Sequence, residues 1–413
     1  MTDLTLPERA QQAIAECRRI ATMSEEPGRT TRRFLTPPVR EVHTHLRSRM
    51  ESLGMTVQTD AAGNLRGLWQ PPGASSAKRL ILGSHSDTVP NAGAFDGVLG
   101  VTLALEWAQL AQELKLPLAI EIIAFSEEEG VRFGVPFLGS RAVAGRFDPA
   151  LLALKDADGI TLGESIREFG LDPGLIGDAA LDPDALGFVE MHIEQGPILE
   201  SERLSVAAVT GIVGQSRLTL EFRGQANHSG TTPMHLRSDA LAGAAEWITA
   251  VESEARNTDG LIATVGKIEV EPNAANVIAG AARASLDVRH ADDASRKAAV
   301  ESLLASAQAI AGKRGLALES AQQLDQPAVP MDEHLTAYLA DAIVAAGLPD
   351  KRIPSGAGHD AMVMAARVPT TMLFLRSPGG ISHHPDETVR EEDVEAALNV
   401  GRRFLQRLAA DVG

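Results

Sequence analysis

The sequence predicts an α/β protein: a larger domain with a mostly parallel mixed sheet, interrupted by a smaller ferredoxin-like βαββαβ domain. Short apolar runs alternate with helical segments in the first half of the chain, which is the pattern of βαβ units. From about residue 209 the pattern changes to period-two strands and long helical segments in the order of a split βαβ unit. The 413 residues are enough for two domains. We therefore place the larger domain at 1–209 and 326–413, and the inserted domain at 210–325.

In the first part of the larger domain, the order of the segments predicts parallel strands. The run RLILGS at 79–84 and the β-branched run LAIEIIAF at 118–125 flank a helical segment at 98–114. A strand, a helix and a strand in this order indicate parallel neighbours in one sheet. The other segments of this part are amphipathic helices at 7–22 and 37–53, a hairpin at 55–69 and a strand at 187–194.

The inserted domain has its own alternation of strands and helices. SRLTLEFRG at 216–224 alternates with period two, which predicts a half-buried strand. The remaining segments are strands at 261–270, 282–290 and 316–323, and helices at 236–255 and 294–315. After the insert, TTMLFLR at 370–376 predicts a further strand of the larger sheet.

Composition excludes several classes of partner. The net charge of −17 opposes phosphate backbones, so we expect no nucleic-acid partner. Cys17 is the single cysteine, which rules out an intrachain disulfide and fits a reducing, cytoplasmic location. The first residues lack a basic segment followed by an apolar one, so we expect no signal peptide. No apolar stretch approaches 18 residues, so we expect no membrane span.

Histidines and carboxylates stand at the ends of several predicted strands. His85 ends one strand, the run Glu127–Glu129 follows the next, and His192 lies within a third. Ligands of open parallel sheets bind outside the carboxyl ends of the strands, so these side chains are expected to converge. Three glutamates packed at a buried strand end are costly unless a cation is present. The sequence therefore indicates a metal site at this edge.

The ligand types favour a hydrolytic site. Imidazole and carboxylate ligands suit zinc, manganese, cobalt or nickel, and the absence of a cysteine cluster excludes a structural zinc site. Two metals that share a carboxylate and a water generate hydroxide near neutral pH. We expect the carboxylate of Asp87, two residues after His85, to accept the other N–H of that imidazole.

Eight stretches in this order resemble the M20 metallopeptidase superfamily, in its branch of N-carbamoyl-L-amino-acid hydrolases, β-ureidopropionases and allantoate amidohydrolases. They run from residue 83 to residue 387, which is most of the chain. The stretches are GSHSDTVPNAGAFDGVLG, EEEGVRFGVPFLGSR, EMHIEQGPILE, GIVGQSRLTLEFRGQANHSGTTPMHLRSDAL, EPNAANVIAG, SLDVRH, PSGAGHDAM and PGGISHHPDE.

The resemblance implies two divalent metal ions per subunit. His85, Asp96 and His192 would hold one ion, and Asp96 would bridge to a second ion, held also by Glu129 and His383. Glu128 would be the general base, and Glu127 would be the extra glutamate of the run. The histidine in HIEQGP favours the carbamoylase branch, because ordinary M20 peptidases generally have a carboxylate there.

The resemblance also implies roles for residues that contact the substrate. His228 would polarise the scissile carbonyl, often in the neighbouring subunit's site, so a homodimer is expected. Asn276 and Arg289 would bind a substrate carboxylate, which an arginine fork matches in geometry. Gln195, Gly358 and His359 would line the pocket.

The activity implied is hydrolysis of the ureido C–N bond of N-carbamoyl-L-amino acids, which are small ureido-carboxylate molecules. An allantoate amidohydrolase or a β-ureidopropionase is the alternative within the branch. A non-catalytic, metal-bearing binding protein is the alternative from another class, and it should lack the base or a ligand. The five remaining histidines with no motif support are expected to be structural: His43, His45, His235, His290 and His334.

Overall fold

The structure, a computed structural model, describes residues 4–73 and 78–412. The chain forms two compact units, and it crosses between them twice. The larger unit takes the chain up to Thr210 and again from Met331, and the smaller unit is Gly211–Pro330.

The described residues contain helices α1–α11 and strands β1–β14. The helices are α1 Leu6–Ala21, α2 Pro37–Ser52, α3 Val98–Glu113, α4 Leu138–Val143, α5 Leu162–Glu168, α6 Ile198–Glu202, α7 Ala240–Asn257, α8 Asp293–Arg314, α9 Glu333–Ala345, α10 Asp360–Met364 and α11 Glu391–Val412. The strands are β1 Thr56–Thr59, β2 Leu65–Trp69, β3 Arg79–His85, β4 Ala119–Phe125, β5 Gly187–Ile193, β6 Val206–Ile212, β7 Gly214–Arg223, β8 Ile262–Thr264, β9 Ile268–Glu271, β10 Ala281–His290, β11 Ala317–Gln326, β12 Val329–Pro330, β13 Arg352–Ser355 and β14 Thr370–Leu375.

The sheet of the larger unit has the order β1-β2-β4-β3-β5-β14-β6, and β13 also pairs with β6. Its four central strands, β4, β3, β5 and β14, are parallel to one another. The strands at the two edges pair in the antiparallel sense, which makes the sheet mixed. This confirms the predicted α/β class. The two predicted strands at 79–84 and 118–125 pair in parallel, and His85 lies opposite Phe125.

Helix α3 packs against the centre of this sheet because its sequence is apolar on nearly every side. Trp107 of α3 is fully buried and lies beside Phe404 of α11. A Cβ at Gly100 would lie 2.1 Å from the carbonyl oxygen of Met191 on β5. Glycine at this position therefore allows the helix to approach the strand closely. That contact fixes α3, and the loop before it, against the strand that carries His192.

The smaller unit is one antiparallel sheet with two helices. Its strand order is β11-β7-β10-β8, and β9 also pairs with β10. Helices α7 and α8 contribute to its apolar core around Trp247 and Phe222, both fully buried. The order last, first, third, second is the one expected for a split βαβ unit.

Two element boundaries in the smaller unit differ from the prediction. The strand expected at 261–270 is divided into β8 and β9, because the register with β10 shifts by one residue between Thr264, opposite Asp287, and Ile268, opposite Ala284. An extra residue in one strand of an antiparallel pair forms such a bulge. The helix expected from 236 begins at Ala240 instead, because the Asp239 carboxylate caps it by accepting a hydrogen bond from the backbone N–H of Ala242.

The helices of the described residues lack the character of a bilayer-crossing segment. Across residues 4–73 and 78–412, none of them combines the length and the apolar character that a membrane crossing requires.

Candidate active site

The carboxyl ends of β3, β4 and β5 bring the predicted histidines and glutamates together within the larger unit. His85 is the last residue of β3, His192 lies near the end of β5, and Glu127–Glu129 follow β4. These strands are parallel neighbours, so their ends lie at one edge of the sheet. Both histidines are almost fully buried.

Asp96 lies at the centre of this cluster, with its two carboxylate oxygens directed to different histidines. Its Oδ1 lies 3.1 Å from Nε2 of His192 and 3.7 Å from Nε2 of His85. Its Oδ2 lies 3.2 Å from Nε2 of His383. One carboxylate thus contacts a buried histidine pair on one side and a half-exposed histidine on the other.

The backbone fixes which nitrogen of each buried histidine faces Asp96. Nδ1 of His85 lies 3.0 Å from the carbonyl oxygen of Asp87, and Nδ1 of His192 lies 2.8 Å from that of Ile193. A carbonyl only accepts hydrogen bonds, so Nδ1 carries the proton in each ring. In the neutral rings the two Nε2 atoms, 3.4 Å apart, are then lone-pair acceptors, whereas a protonated ring donates from Nε2 to Asp96. Two lone pairs directed at one point beside a carboxylate are the arrangement of metal ligands.

Three groups of ligand atoms lie close enough together to hold a metal ion. The groups are His85, Asp96 and His192; His85, Glu128 and Glu129; and Asp96, Glu129 and His383, with the atoms of each group within 4.8 Å of one another. Asp96 belongs to two of them. Glu129 contributes Oε1, which lies 3.6 Å from Nε2 of His383 and, among the described residues, has no hydrogen-bond donor.

Burial raises the pKa values of the glutamates that follow β4. Burial raises the pKa of Glu127 to about 8, and the charge of Asp87 adds to the effect. Burial raises the pKa of Glu129 to about 7, and it raises the pKa of Glu128 well above its usual range. A bound divalent cation stabilises the ionised form of such carboxylates, so the electrostatics of this region fit one.

The pKa of Asp96 is shifted in the opposite direction, to lower values. Burial alone raises the pKa of Asp96, but hydrogen bonds with His192, His383 and His85 together hold it well below its usual range. The carboxylate is therefore ionised at neutral pH and has the charge that a bridging ligand requires.

The contact expected for Asp87 needs a correction. The N–H of His85 is accepted by the backbone carbonyl of Asp87, whereas the carboxylate oxygen nearest to Nδ1 is 3.7 Å away. Its two oxygens instead accept hydrogen bonds from the backbone N–H groups of Glu128 and Glu129, each at 3.1 Å. Asp87 thus fixes the backbone of the two glutamates, because its carboxylate faces the loop after β4.

Glu127 differs from Glu128 in its contacts. Oε1 of Glu127 accepts hydrogen bonds from the backbone N–H groups of Arg132 and Phe133. The Glu128 carboxylate makes no hydrogen bond to any other described residue. Its oxygens are therefore available to a water molecule or a substrate.

Three non-glycine residues of the cluster have left-handed backbone conformations. They are Glu127, Gln195 and His383, with φ angles of 51°, 57° and 55°. Such conformations cost free energy outside glycine and are often found at functional sites.

Gln195 lies against the central carboxylate. Its Nε2 is 3.2 Å and 3.3 Å from the two oxygens of Asp96 and 3.2 Å from Oγ of Ser382. The sequence predicted it as a pocket residue, and the structure places its amide at the candidate metal ligands.

His359 lies against His192, and Gly358 directly precedes it in the chain. The ring of His359 is buried, 4.5 Å from the ring of His192, and its Nε2 contacts Oγ of Ser355 at 2.9 Å. Burial lowers its pKa well below the usual range, so the ring is neutral. A Cβ at Gly358 would lie 2.9 Å from the ring of Phe137, so glycine permits this close approach.

Sequence reasoning missed the role of Glu387. Its Oε1 accepts hydrogen bonds from the backbone N–H groups of Phe95 and Asp96, at 3.0 and 2.9 Å. Ser382 donates to its other oxygen at 3.2 Å. Glu387 thus holds the loop that carries Asp96. The only sign of this role in the sequence was its position as the last residue of the stretch PGGISHHPDE.

The sequence also did not reveal two fully buried carboxyl groups near the cluster, those of Glu190 and Asp360. Glu190, on the same strand as His192, accepts hydrogen bonds from Oγ of Ser84 at 2.9 Å and from the backbone N–H of Ala361 at 2.8 Å. Asp360 is fully buried, and burial raises its pKa well above the usual range. Both groups lie in quoted motifs, but nothing in the sequence distinguished them from the other acidic residues.

In the smaller unit, His228 and Asn276 lie on adjacent loops. His228 forms an isolated bridge with Val277, and the N–H of Ser229 donates to the carbonyl of Asn276 at 3.0 Å. Arg237 donates to the carbonyls of Ser229 and Thr232, at 2.5 and 3.0 Å. Both predicted side chains are solvent-exposed, and the arginine braces the loop that carries the histidine.

Arg289 is already engaged by a carboxylate of its own strand. Its Nε and Nη2 donate to the two oxygens of Asp287, at 2.9 and 3.1 Å. Gln215 and Arg217 donate to the same carboxylate at 2.6 and 3.0 Å. Asp287 therefore holds the guanidinium that the sequence predicted to bind a substrate carboxylate.

Comparison with known proteins gives consistent matches over nearly the whole chain. The pattern of Peptidase family M20/M25/M40 matches residues 81–407. The chain is 37% identical to the allantoate deiminase of Arabidopsis thaliana, over 96% of this chain and 82% of that protein. It is 36% identical to the N-carbamoyl-L-amino acid amidohydrolase of Geobacillus stearothermophilus, over 97% of this chain and 98% of that protein.

A solved structure matches the fold as well. The crystal structure of an amidase of the hydantoinase/carbamoylase family from Burkholderia multivorans aligns with a TM-score of 0.90 at 32% identity. The alignment covers 97% of this chain and 98% of that chain.

Proposed function

The chain belongs to Peptidase family M20/M25/M40, and on this premise we propose that it hydrolyses the ureido C–N bond of N-carbamoyl-L-amino acids. The products are the free amino acid, ammonia and carbon dioxide. The relatives at 36–37% identity are amidohydrolases or deiminases of ureido compounds by name, which supports this reaction class. The resemblance drawn from the sequence is confirmed at the level of the family.

The observation that carries the proposal is the geometry around Asp96. One oxygen faces His85 and His192, and the other faces His383. A carboxylate with two sets of neighbours supports a site for two cations that share one ligand.

We assign one divalent ion to His85, Asp96 and His192, and a second to Asp96, Glu129 and His383. Zinc, manganese, cobalt and nickel all suit this mixture of imidazole and carboxylate. When bound, such ions lower the pKa of a water molecule and polarise a carbonyl oxygen.

Glu128 serves as the proton shuttle. It takes a proton from the attacking water, whose oxygen forms a bond to the ureido carbon, and it passes the proton to the nitrogen that leaves as the C–N bond breaks. The carbamate released then decays to ammonia and carbon dioxide. Burial favours protonated Glu128, which suits a group that must hold a proton before returning it.

Residues of the smaller unit bind and polarise the substrate. His228 donates a hydrogen bond to the carbonyl oxygen on which negative charge develops. Asn276 and Arg289 bind the substrate carboxylate. Asp287 holds the Arg289 fork in place before the substrate arrives.

We also propose that the protein forms a homodimer through the smaller unit. The loop that follows His228 exposes Met234 and Leu236, which are 77% and 67% accessible. The edge strands β8 and β9 expose Ile262 and Ile268. Apolar side chains of this kind are suited to burial against a second copy. A cytoplasmic location stays a prediction from the single, buried Cys17.

Allantoate is the second candidate substrate. It has ureido groups and a carboxylate, so the same ligands and the same arginine serve it. The similarity to the allantoate deiminase of Arabidopsis thaliana favours it as much as the other match favours N-carbamoyl-L-amino acids.

Ammonia release tests the proposal and separates the candidates. The protein is stripped with a chelator, reloaded with Mn²⁺, Co²⁺, Ni²⁺ or Zn²⁺, and given a panel of N-carbamoyl-L-amino acids, N-carbamoyl-β-alanine or allantoate. We expect metal-dependent ammonia release from the N-carbamoyl-L-amino acids. Release from allantoate alone, or from N-carbamoyl-β-alanine alone, replaces the substrate assignment. No release from any of them, by protein that has bound metal, contradicts the activity and favours a metal-bearing binding protein.

A further inference from the structure

Arg32 is a fully buried arginine whose side chain reaches the loop after β3. Its exposed fraction is 0%. Nε donates to the carbonyl of Ser86 at 2.5 Å, and Nη1 donates to the carbonyls of Ile20 and Met23 at 3.2 and 3.1 Å. Its backbone N–H donates to Oγ1 of Thr88, and the N–H of Thr88 donates back to the carbonyl of Arg32, both at 3.0 Å. Arg32 therefore holds the loop at both of its ends.

The loop held in this way, residues 86–88, connects two parts of the candidate site. It directly follows His85, and it contains Asp87, whose carboxylate binds the backbone N–H groups of Glu128 and Glu129. A movement of residues 86–88 displaces the imidazole on one side and both glutamates on the other.

The charge of Arg32 is not cancelled by a direct ion pair. All three side-chain acceptors are neutral carbonyls, and no carboxylate of the described residues lies within 4.0 Å of the guanidinium. Burial lowers its pKa to about 10, although the negative charge of Asp87 opposes this shift. The guanidinium stays charged at neutral pH, so a buried positive charge faces the acidic loop.

Arg9, in the same unit, shows what a purely structural buried arginine is like. It is 1% exposed, and its guanidinium pairs with Glu106 at 3.0 Å and Glu113 at 2.5 Å. None of its hydrogen bonds reaches residues 85–88. The two arginines are equally buried, but only Arg32 contacts the loop of the candidate site.

We propose that Arg32 is a positioning residue for the candidate metal site. Its Nε fixes the carbonyl of Ser86, its backbone pairs with Thr88, and its charge offsets the negative charge of Asp87, so that the backbone of Glu128 and Glu129 stays aligned with His85. This inference rests on the proposed function, since it assigns Arg32 to the same site. Loss of a residue that orients metal ligands typically lowers metal affinity or activity by about 10- to 100-fold.

The test compares Arg32→Met with Arg9→Met, and measures Mn²⁺ binding by equilibrium dialysis beside thermal unfolding. Both variants lose a buried arginine, so both should unfold at lower temperature. At a temperature where both are folded, we expect only Arg32→Met to bind Mn²⁺ about 10-fold or more weakly. Arg32→Lys, which keeps a cation but not the fork, should recover part of the affinity.

Each result has a defined consequence. Mn²⁺ binding by Arg32→Met equal to that of the wild type overturns the role of Arg32 alone. An equal loss in Arg9→Met overturns it as well, because the effect is then one of general stability. If Arg32→Met does not fold, Arg32→Lys against Arg9→Lys gives the same comparison. A wild-type protein that binds no cation overturns the proposed function and this role together, whereas one that binds cations but releases no ammonia overturns only the activity.

Discussion

At the scale of the residue, adjacent glutamates in one acidic run have different surroundings. Glu127 is held by two backbone N–H groups, whereas the Glu128 carboxylate has no such partner and lies in a ligand group with His85 and Glu129. The resemblance to the M20 family implied this division, and the contacts supply a physical reason for it.

We predict that Glu128→Gln abolishes turnover while metal binding is kept. An amide cannot shuttle the proton, and loss of a general base typically lowers kcat by about 10²- to 10⁴-fold. Glu127→Gln is the matched control, because its amide oxygen can still accept the hydrogen bonds of Arg132 and Phe133. Steady-state kinetics with metal analysis measures both. If Glu127→Gln is the inactive variant, the assignment of the base is wrong by one position.

The sequence predicts a structural role for His43. It is buried in α2 against Phe169, and burial, with the charges of Arg47, Arg40 and Arg32, lowers its pKa to about 4 from 6.5. Between these pH values the unfolded chain binds the proton and the folded chain does not. Stability is therefore fully present above pH 6.5 and is lost as the pH falls toward 4.

At ~1.4 kcal/mol per pKa unit, this loss is on the order of 3 kcal/mol. Urea unfolding at pH 5 and pH 7 should show about 2 kcal/mol of it, because pH 5 lies above the folded-state pKa. His43→Phe should reduce the pH dependence, and the exposed His334→Phe should leave it unchanged. An identical pH dependence in His43→Phe and the wild type means that His43 does not carry the effect.

At the scale of the element, the loop before α3 delivers Asp96 and also confines His85. Gly97 caps this helix with a φ of 67°, and a Cβ there would lie 2.5 Å from three atoms of the His85 ring. The glycine meets two requirements together: a left-handed backbone and contact with a ligand.

We predict that Gly97→Ala displaces the His85 ring and weakens metal binding. Gly54→Ala is the control, because Gly54 has a φ of 71° but no atom within 4 Å of the added Cβ. Both variants place alanine at a positive φ, and only one has the clash. Metal content after dialysis should fall in Gly97→Ala alone. Equal metal content in the two variants contradicts the claim that this loop confines the ligand.

The sequence predicted those helices and strands that a pattern of neighbouring residues identifies. The apolar runs that end at His85 and Phe125 have a clear pattern, so their strands and the position of the ligands after them were predictable. Contacts between distant segments were not: Glu387 binds the backbone of Asp96 across 291 positions of sequence, and no local pattern marks such a pair. The choice of the Asp87 backbone carbonyl over its carboxylate, as the acceptor for His85, depends on where the loop after β4 lies. The break between β8 and β9 depends on the register of their pairing with β10, and no local pattern of the sequence shows that register.

At the scale of the whole molecule, the proposed residues are divided between two units. His85, Asp96, Glu128, Glu129, His192 and His383 belong to the larger unit, and His228, Asn276 and Arg289 belong to the smaller one. The proposed reaction needs both groups. The smaller-unit residues that act on one substrate can come from the same chain or from a second copy.

Mixing two inactive variants distinguishes these arrangements. We predict that His228→Ala and Glu128→Gln, exchanged in equal amounts, regain about one quarter of wild-type activity, because half of the dimers are mixed and each has one intact site. The intact site combines Glu128 of one copy with His228 of the other. No recovery, after native mass spectrometry has verified exchange, assigns His228 to the site of its own chain.

In the proposed site one carboxylate, Asp96, serves two cations. Anomalous diffraction from crystals grown with Mn²⁺ or Zn²⁺, recorded at the absorption edge of the metal, tests it most directly. We predict two peaks, one bound by Asp96 with His85 and His192, and one bound by Asp96 with Glu129 and His383. A single peak in the fully loaded protein, or two peaks of which one does not contact Asp96, contradicts it.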